Sequence, residues 1–339
     1  MLCLCYAYNM SELRLNLITR EWVIIATERA KRPDDFRQKK DHKFLPEHLN
    51  TCPFCTGNET KTPGEIMTIA SDGSWKIRVT PNKFAALNID GERTRINEGL
   101  KHLVTGVGRH EVIIESSLHN TTPALMTNED VAEIIQVYKK RFIDIYNDPR
   151  IEHVIIFKNH GEKAGTSLEH PHSQIVGTPV MPMQVRERID EARRYFDNTG
   201  ECLMCATVRA ELAEGRRIIL DTEHFVTFMP YAALSPFHIW IFPKRHTSTL
   251  AAMQDNEIAD LAYNLKTVLA KLYHGLDNPD YNYVIRSESP KECGSEYFHW
   301  YLSIVPKVVQ TAGFELGSGM YINSALPEES AEFLRKVKV

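Results

Sequence analysis

The sequence predicts an α+β fold built from two tandem copies of one unit, with antiparallel sheets packed against helices and joined side by side. Three observations predict it: a repeated Cys-x-x-Cys pair, a repeated order of strand, histidine and helix, and a gap-free match between two later segments. Internal repeats of this length indicate duplicated units. Short strands with one long helix in each copy are typical of α+β architecture. We place the copies at residues 10–190 and 195–339.

The first repeated element is the cysteine pair and the segment that follows it. Cys52-Pro-Phe-Cys55 has a counterpart in Cys202-Leu-Met-Cys205. Downstream of each pair, residues 77–87 and 225–234 form a β-rich run that enters a turn and ends in Ala-Ala-Leu. Both stretches therefore predict a strand followed by a turn.

The next elements are a histidine at a strand end, a helix and a further strand. His119 and His246 each follow a β-rich run. Residues 127–130 and 255–257 can cap helices, because apolar residues follow each of them at spacings of three and four. The two helical patterns end at Asn147-Asp-Pro149 and at Asn278-Pro279, and matching strands begin at residues 154 and 283.

The closest internal match joins residues 164–176 to residues 293–305 without a gap. It aligns His170 with His299, whereas His172 falls on Tyr301. One copy has kept an extra histidine that the other lacks. We therefore expect only the first copy to be reactive.

The composition is that of a soluble globular protein, with 43% hydrophobic and 25% charged residues in a chain of 339. A net charge of −4 argues against nucleic acid as a partner. No apolar run approaches the ~20 residues that span a membrane. The first nine residues lack the basic start of a signal peptide, so we interpret them as a frayed extension of a cytoplasmic protein.

An odd count of seven cysteines, four of them in two Cys-x-x-Cys pairs, predicts metal binding or redox chemistry rather than disulfides. One such pair alone is equally well explained by buried thiols, but the duplicate with its downstream histidines favours metal. A closed set of two thiolates and two imidazoles suits structural zinc, and the second site leaves iron open as an alternative. The two predicted ligand sets are Cys52, Cys55, His119 and His170, and Cys202, Cys205, His246 and His299.

The chemical site is predicted at His170-Pro-His172-Ser-Gln174, which enters a strand. Residues two apart in an extended segment share a face, so His170 can bind a metal while His172 faces a substrate. A neutral imidazole is a good nucleophile for phosphorus. Gln174 can donate a hydrogen bond to a phosphate oxygen but cannot act as an acid.

These motifs together resemble the galactose-1-phosphate uridylyltransferase family, in the transferase branch of the histidine-triad superfamily. The resemblance covers nearly the whole chain and rests on five segments in the family's order: EWVIIATERAKRP (21–33), CPFC (52–55), PNKFAAL (81–87), FKNHG (157–161) and EHPHSQIVGTP (169–179). It implies two histidine-triad-like units, zinc, and a cytoplasmic enzyme of galactose metabolism. Relatives are commonly homodimers, which the resemblance implies here as well.

By that resemblance, His172 attacks the α-phosphorus of UDP-glucose, releases glucose 1-phosphate, and passes UMP to galactose 1-phosphate. The hexose-binding segment is matched by Phe314-Glu315. The residues implied to bind substrate are Arg29, Arg32, Asn82, Phe84, Asn159, Ser167, Gln174 and Glu315. For the two arginines, bidentate phosphate contacts compete with a second interpretation, a solvated basic loop.

Three alternatives remain open at this stage. Lys83 stands where the family has an acidic residue, and both the second ligand set and residues 313–323 resemble a plant ADP-glucose phosphorylase. That enzyme uses an adenine nucleotide and phosphate with the same histidine. A zinc-dependent binding module leaves His172 and Gln174 unexplained. A dinucleotide hydrolase would more typically have a histidine at the position of Gln174.

Overall fold

The computed structural model describes residues 10–26, 32–37, 45–71 and 73–339. It confirms the predicted α+β class. Within these ranges the strands are β1 Glu12–Leu15, β2 Trp22–Ile25, β3 Met67–Ser71, β4 Ser74–Pro81, β5 Arg95–Glu98, β6 Lys101–Val104, β7 Arg109–Ile114, β8 His153–His160, β9 His172–Thr178, β10 Ile218–Asp221, β11 Phe225–Phe228, β12 Ile239–Pro243, β13 Tyr281–Arg286, β14 Tyr301–Pro306 and β15 Tyr321–Asn323. The α-helices are α1 Asn128–Tyr146, α2 Met183–Thr199, α3 Leu203–Glu214, α4 Asp255–Leu276, α5 Gly313–Ser318 and α6 Pro327–Lys336.

Ten strands form one continuous antiparallel sheet in the order β10-β11-β12-β14-β13-β8-β9-β7-β4-β3. The first five belong to the second copy and the last five to the first copy, in mirrored order. The copies meet in the middle, where β8 pairs with β13 and Asn159 lies opposite Asn282. A residue of one copy can therefore reach the other through a single strand pairing.

The two long helices, α1 and α4, pack on one face of this sheet. Thr127 caps α1 by accepting a hydrogen bond from the backbone N–H of Asp130 at 3.1 Å. The apolar positions that the sequence predicted on these helices are buried in one core cluster with β-strand residues such as Ile113 and Ile175. Those helix positions are Val131, Ile134, Ile135, Tyr138, Ile258, Leu261, Leu265 and Leu269.

The opposite face differs between the two halves. In the second half, α2 and α3 cover it, and Ala192 and Leu203 pack in one cluster with Trp240 and Tyr301. In the first half, the loop of the first cysteine pair packs over Val112 and Ile114. Farther along that face, Phe157, Gln174 and Val176 are only half-buried. The first half thus keeps an accessible surface where the second half is filled.

Smaller elements flank the large sheet. Strand β2 pairs antiparallel with β1 and parallel with β15, and β5 pairs with β6 as a separate hairpin. None of the helices in the described part of the chain is both long and apolar enough to cross a membrane.

Candidate active site and metal clusters

The first predicted ligand set converges at one end of the sheet. The potential ligand atoms of Cys52, Cys55, His119 and His170 all lie within 4.8 Å of one another, and all four residues are buried. The Cys55 sulfur is 3.5 Å from Nδ1 of His119 and 3.6 Å from Nδ1 of His170. Local structure explains the convergence, because His119 follows β7, His170 precedes β9, and these strands are neighbours.

The hydrogen bonds of this cluster fit a metal ion. The second ring nitrogen of His170, Nε2, lies 2.8 Å from the carbonyl oxygen of Ser116. A carbonyl only accepts, so Nε2 carries the proton and Nδ1 keeps its lone pair toward the sulfurs. Burial raises the pKa of the Cys52 thiol to about 11 and lowers that of His170 to about 4. A divalent cation would instead stabilise the thiolates and the neutral imidazoles as ligands.

The second ligand set repeats this arrangement. The potential ligand atoms of Cys202, Cys205, His246 and His299 also lie within 4.8 Å of one another. The Cys205 sulfur is 3.2 Å from Nδ1 of His246 and 3.3 Å from Nδ1 of His299. Nε2 of His246 faces the carbonyl oxygen of Ser295 at 3.0 Å, as His170 faces Ser116. The described residues thus form two clusters, each with the donor set that tetrahedral metal ions favour.

His172 is the first residue of β9 and is only 7% exposed. Its Nδ1 lies 2.8 Å from the carbonyl oxygen of His170, so Nδ1 is the protonated nitrogen and Nε2 carries the lone pair. Burial lowers the pKa of His172 below its usual value, which favours the neutral imidazole. The side chain therefore presents one nucleophilic nitrogen.

A buried charged network lies behind His172. Lys158 donates to the backbone carbonyl of His172 at 3.0 Å and to Glu115 at 2.5 Å. Tyr138 donates to the other carboxylate oxygen of Glu115 at 2.9 Å. Sequence reasoning did not assign roles to these residues, although Lys158 lies within the FKNHG motif. The available signal was a lysine directly after the apolar run of residues 154–157.

A cavity of about 1410 Å³ opens beside His172. Asn159 and Ser167 line it together with His172, as do Cys52, His119 and His170 of the first cluster. The volume exceeds the 300–1,000 Å³ typical of small-molecule sites. The structure thus brings the predicted nucleophile and two predicted substrate residues to one cavity, next to three of the predicted metal ligands.

The other predicted substrate residues do not line this cavity, although Gln174 lies on the same sheet face as His172. Gln174 and Asn82 are beside each other, with the Asn82 amide nitrogen 3.3 Å from the Gln174 carbonyl oxygen. Phe84 is 85% exposed, and Arg32 is exposed next to a short 3-10 helix. Glu315 caps α5 by accepting from the backbone N–H of Ala312 at 3.0 Å. None of these five residues lines the cavity, and Arg29 lies outside the described residues.

The corresponding position in the second copy is closed. Tyr301 is 1% exposed, and its ring stacks on Phe242 with centroids 4.6 Å apart. The Trp240 ring packs against Tyr301 with centroids 5.5 Å apart, and α2 covers this cluster. The exchange of histidine for tyrosine is therefore accompanied by closure of the corresponding surface.

Fold and site together define a duplicated α+β protein with two Cys/His clusters that could each hold a metal ion, and one candidate nucleophilic histidine. The chain belongs to the galactose-1-phosphate uridyl transferase family. The N-terminal domain of that family matches residues 6–182, and the C-terminal domain matches residues 188–316. Membership places the chain among nucleotidyltransferases.

Individual relatives fall into two groups of different activity. The chain is 37% identical to an ADP-glucose phosphorylase of Arabidopsis thaliana, covering 97% of this chain and 93% of that protein. It is 29% identical to a galactose-1-phosphate uridylyltransferase of Thermotoga maritima, covering 97% and 99%. The crystal structure of the Arabidopsis ADP-glucose phosphorylase with bound ADP-glucose superimposes with a TM-score of 0.81, at 35% identity, over 97% of this chain and 99% of that one.

Proposed function

We propose that the chain transfers AMP from ADP-glucose to inorganic phosphate through a covalent adenylyl-His172 intermediate. One observation carries the proposal. Nδ1 of His172 is held by the His170 carbonyl, which leaves Nε2 as the one basic nitrogen of a buried imidazole at a cavity. Asn159 and Ser167 line the same cavity and can donate to phosphate oxygens.

The reaction balances as a double displacement. Nε2 of His172 attacks the α-phosphorus of ADP-glucose, a P–N bond forms, and the bond to glucose 1-phosphate breaks. An oxygen of inorganic phosphate then attacks the same phosphorus, the P–N bond breaks, and ADP leaves. The proton stays on Nδ1 throughout and donates its hydrogen bond to the His170 carbonyl. That carbonyl favours the positive charge that the imidazole gains in the intermediate, whereas the Lys158–Glu115 pair near the ring contributes charges of both signs.

The choice of adenine nucleotide rests on two supports. The Arabidopsis relative with bound ADP-glucose has higher identity to this chain than the Thermotoga uridylyltransferase does, 37% against 29% by sequence. Lys83 also replaces the acidic residue expected beside the ribose in the uridylyltransferases.

A second candidate function is transfer of UMP from UDP-glucose to galactose 1-phosphate. The family domains favour it, because they match both halves of the chain. The chemistry at His172 is the same, and only the base and the acceptor differ.

We also propose that zinc occupies both clusters in a structural role. Cys52, Cys55, His119 and His170 would hold one ion, and Cys202, Cys205, His246 and His299 the other. Each closed four-ligand site ties loops together and leaves no position for a reacting water. The first ion would anchor His170 and so hold the backbone two residues before His172. The homodimer, the cytoplasmic location and the boundaries 10–190 and 195–339 stay predictions.

The test is intact-mass spectrometry of the protein mixed separately with ADP-glucose and with UDP-glucose. An AMP-sized gain that is absent in His172→Ala supports the proposal, whereas a UMP-sized gain alone supports the second candidate. The absence of both mass gains would contradict a covalent mechanism. His172→Ala should keep its metal, and a loss of metal would mean that His172 and His170 have exchanged roles.

A further inference from the structure

His110 on β7 lies beside Gln174 on the neighbouring strand β9, on the same side as His172. Its Nε2 is 2.7 Å from the side-chain oxygen of Gln174. We propose that His110 is a positioning residue that orients the Gln174 amide, so that its NH₂ group faces the transferred phosphoryl group. The inference rests on the proposed function, since it concerns the same phosphoryl site.

A backbone group sets the tautomer of His110. The backbone N–H of Ala86 donates to Nδ1 of His110 at 3.2 Å. Since Nδ1 accepts, the proton of the neutral ring sits on Nε2. Nε2 then donates to its neighbour at 2.7 Å, which must be the oxygen and not the nitrogen of the Gln174 amide.

Asn82 supplies a second donor to the same oxygen. The backbone N–H of Phe84 donates to the Asn82 side-chain oxygen at 2.9 Å, which leaves the Asn82 amide nitrogen to donate to Gln174 at 3.3 Å. Asn82 and His110 nitrogens approach to 3.1 Å because both point to one acceptor.

With both lone pairs of its oxygen occupied, Gln174 has only its NH₂ group left for a ligand. Gln174 is half-buried and lies two residues after His172 on the same strand. Residues so spaced share a face and stand roughly 7 Å apart. That separation suits a donor to an oxygen of the phosphorus that His172 attacks.

The second copy contains the same arrangement without a reactive histidine. The backbone N–H of Leu234 donates to Nδ1 of His238 at 3.3 Å, and His238 Nε2 lies 2.9 Å from the Ser303 hydroxyl. Ser303 lies opposite Trp240 as Gln174 lies opposite Val112. His238 therefore provides a matched control, because it makes equivalent bonds in a half that is closed to substrate.

The test compares variants that keep different halves of the imidazole. His110→Gln can still donate a hydrogen bond to Gln174. His110→Asn can accept the hydrogen bond from Ala86 but cannot donate to Gln174. We expect His110→Asn to slow adduct formation at saturating ADP-glucose by about 10–100-fold, the effect of losing one hydrogen bond to a charged group. The ADP-glucose concentration that gives half the maximal rate should change less than the rate itself. His110→Gln should stay within about three-fold of wild type, and His238→Asn within about two-fold.

A double-mutant comparison separates positioning from general damage. In a Gln174→Leu background, His110→Asn should add no further slowing, because the residue through which it acts is gone. If His110→Asn fails to fold, Asn82→Asp provides a second test of how the Gln174 amide is oriented. Its carboxylate still accepts from Phe84 but attracts the Gln174 NH₂ group, so the amide should turn and the rate should fall.

If the wild type is labelled, three results would overturn the inference but not the proposed function. The His110 variants could react at the wild-type rate, or His110→Gln and His110→Asn could be slowed equally. The slowing by His110→Asn could also be additive to that of Gln174→Leu. A wild type that neither ADP-glucose nor UDP-glucose labels would overturn the proposed function, and the inference with it. The wild-type reaction thus distinguishes the two failures.

Discussion

Asn282 of the second copy donates its side-chain NH₂ group to the Asn159 side-chain oxygen of the first copy at 2.8 Å. Its other N–H donates to the backbone carbonyl of Ala164, also at 2.8 Å. Because a carbonyl only accepts, the second bond fixes the orientation of the Asn282 amide. Asn159 must then accept from Asn282, and its own NH₂ group remains for a ligand in the cavity that it lines. The second copy therefore orients a side chain that lines the cavity of the first copy.

Replacing Asn282 by aspartate tests this relationship. A carboxylate cannot donate, so Asn282→Asp should turn the Asn159 amide and present its oxygen to the phosphate. We expect adduct formation from ADP-glucose to slow by about 10–100-fold. Rapid-quench sampling with intact-mass detection measures the rate. Asn256→Asp, an exposed change of the same kind on α4, should leave the rate unchanged. A normal rate in Asn282→Asp would exclude this orienting role.

The two metal clusters should be separable by mutation. Cys55→Ser should lose the first metal and Cys205→Ser the second, because each removes one thiolate of a four-ligand set. Both variants should unfold at lower urea concentration, since metal binding contributes directly to folding. Elemental analysis of purified protein gives the metal content and its identity. Full metal content in either variant would show that the cluster concerned does not hold the ion.

The buried ion pair behind His172 makes a prediction about stability. Lys158→Met leaves the Glu115 carboxylate buried without its cation, which should cost about 3–5 kcal/mol in the free energy of unfolding. Adding Glu115→Gln removes the stranded charge, so the double variant should recover most of that loss. Urea titrations of the wild type, the two single variants Lys158→Met and Glu115→Gln, and the double variant measure the coupling. Equal stability of the single and double variants would mean that the pair is not a buried charge pair in solution.

A buried histidine predicts how stability depends on pH. Burial lowers the pKa of His153 from 6.5 to about 4 in the folded chain. Between these values the unfolded chain binds more protons, so stability is fully present above pH 6.5 and falls as the pH drops toward 4. The contribution of His153 reaches about 3 kcal/mol. His153→Gln should therefore lose less stability than wild type between pH 7.5 and 4.5 in urea titrations. The exposed His102→Gln variant serves as the control, and an unchanged slope in His153→Gln would contradict the assignment.

By itself, the sequence determined the class of fold, the order of the repeated elements and the composition of both ligand sets. It could do so because these signals are local. A Cys-x-x-Cys loop, a capped helix and alternate residues on a strand each follow from spacing along the chain. The exchange of His172 for Tyr301 was visible for the same reason, once the copies were aligned.

Only the tertiary structure decided which residues support the site. His110, Lys158 and Asn282 reach Gln174, the His172 carbonyl and Asn159 across neighbouring strands. Strand order depends on how the two copies join within the ten-stranded sheet. No spacing in the sequence shows that β8 pairs with β13. The closure of the second copy by α2 and α3 depends likewise on where those helices pack. Hydrogen bonds and packing act between neighbours in space, so contacts between distant segments emerge only when the chain has folded.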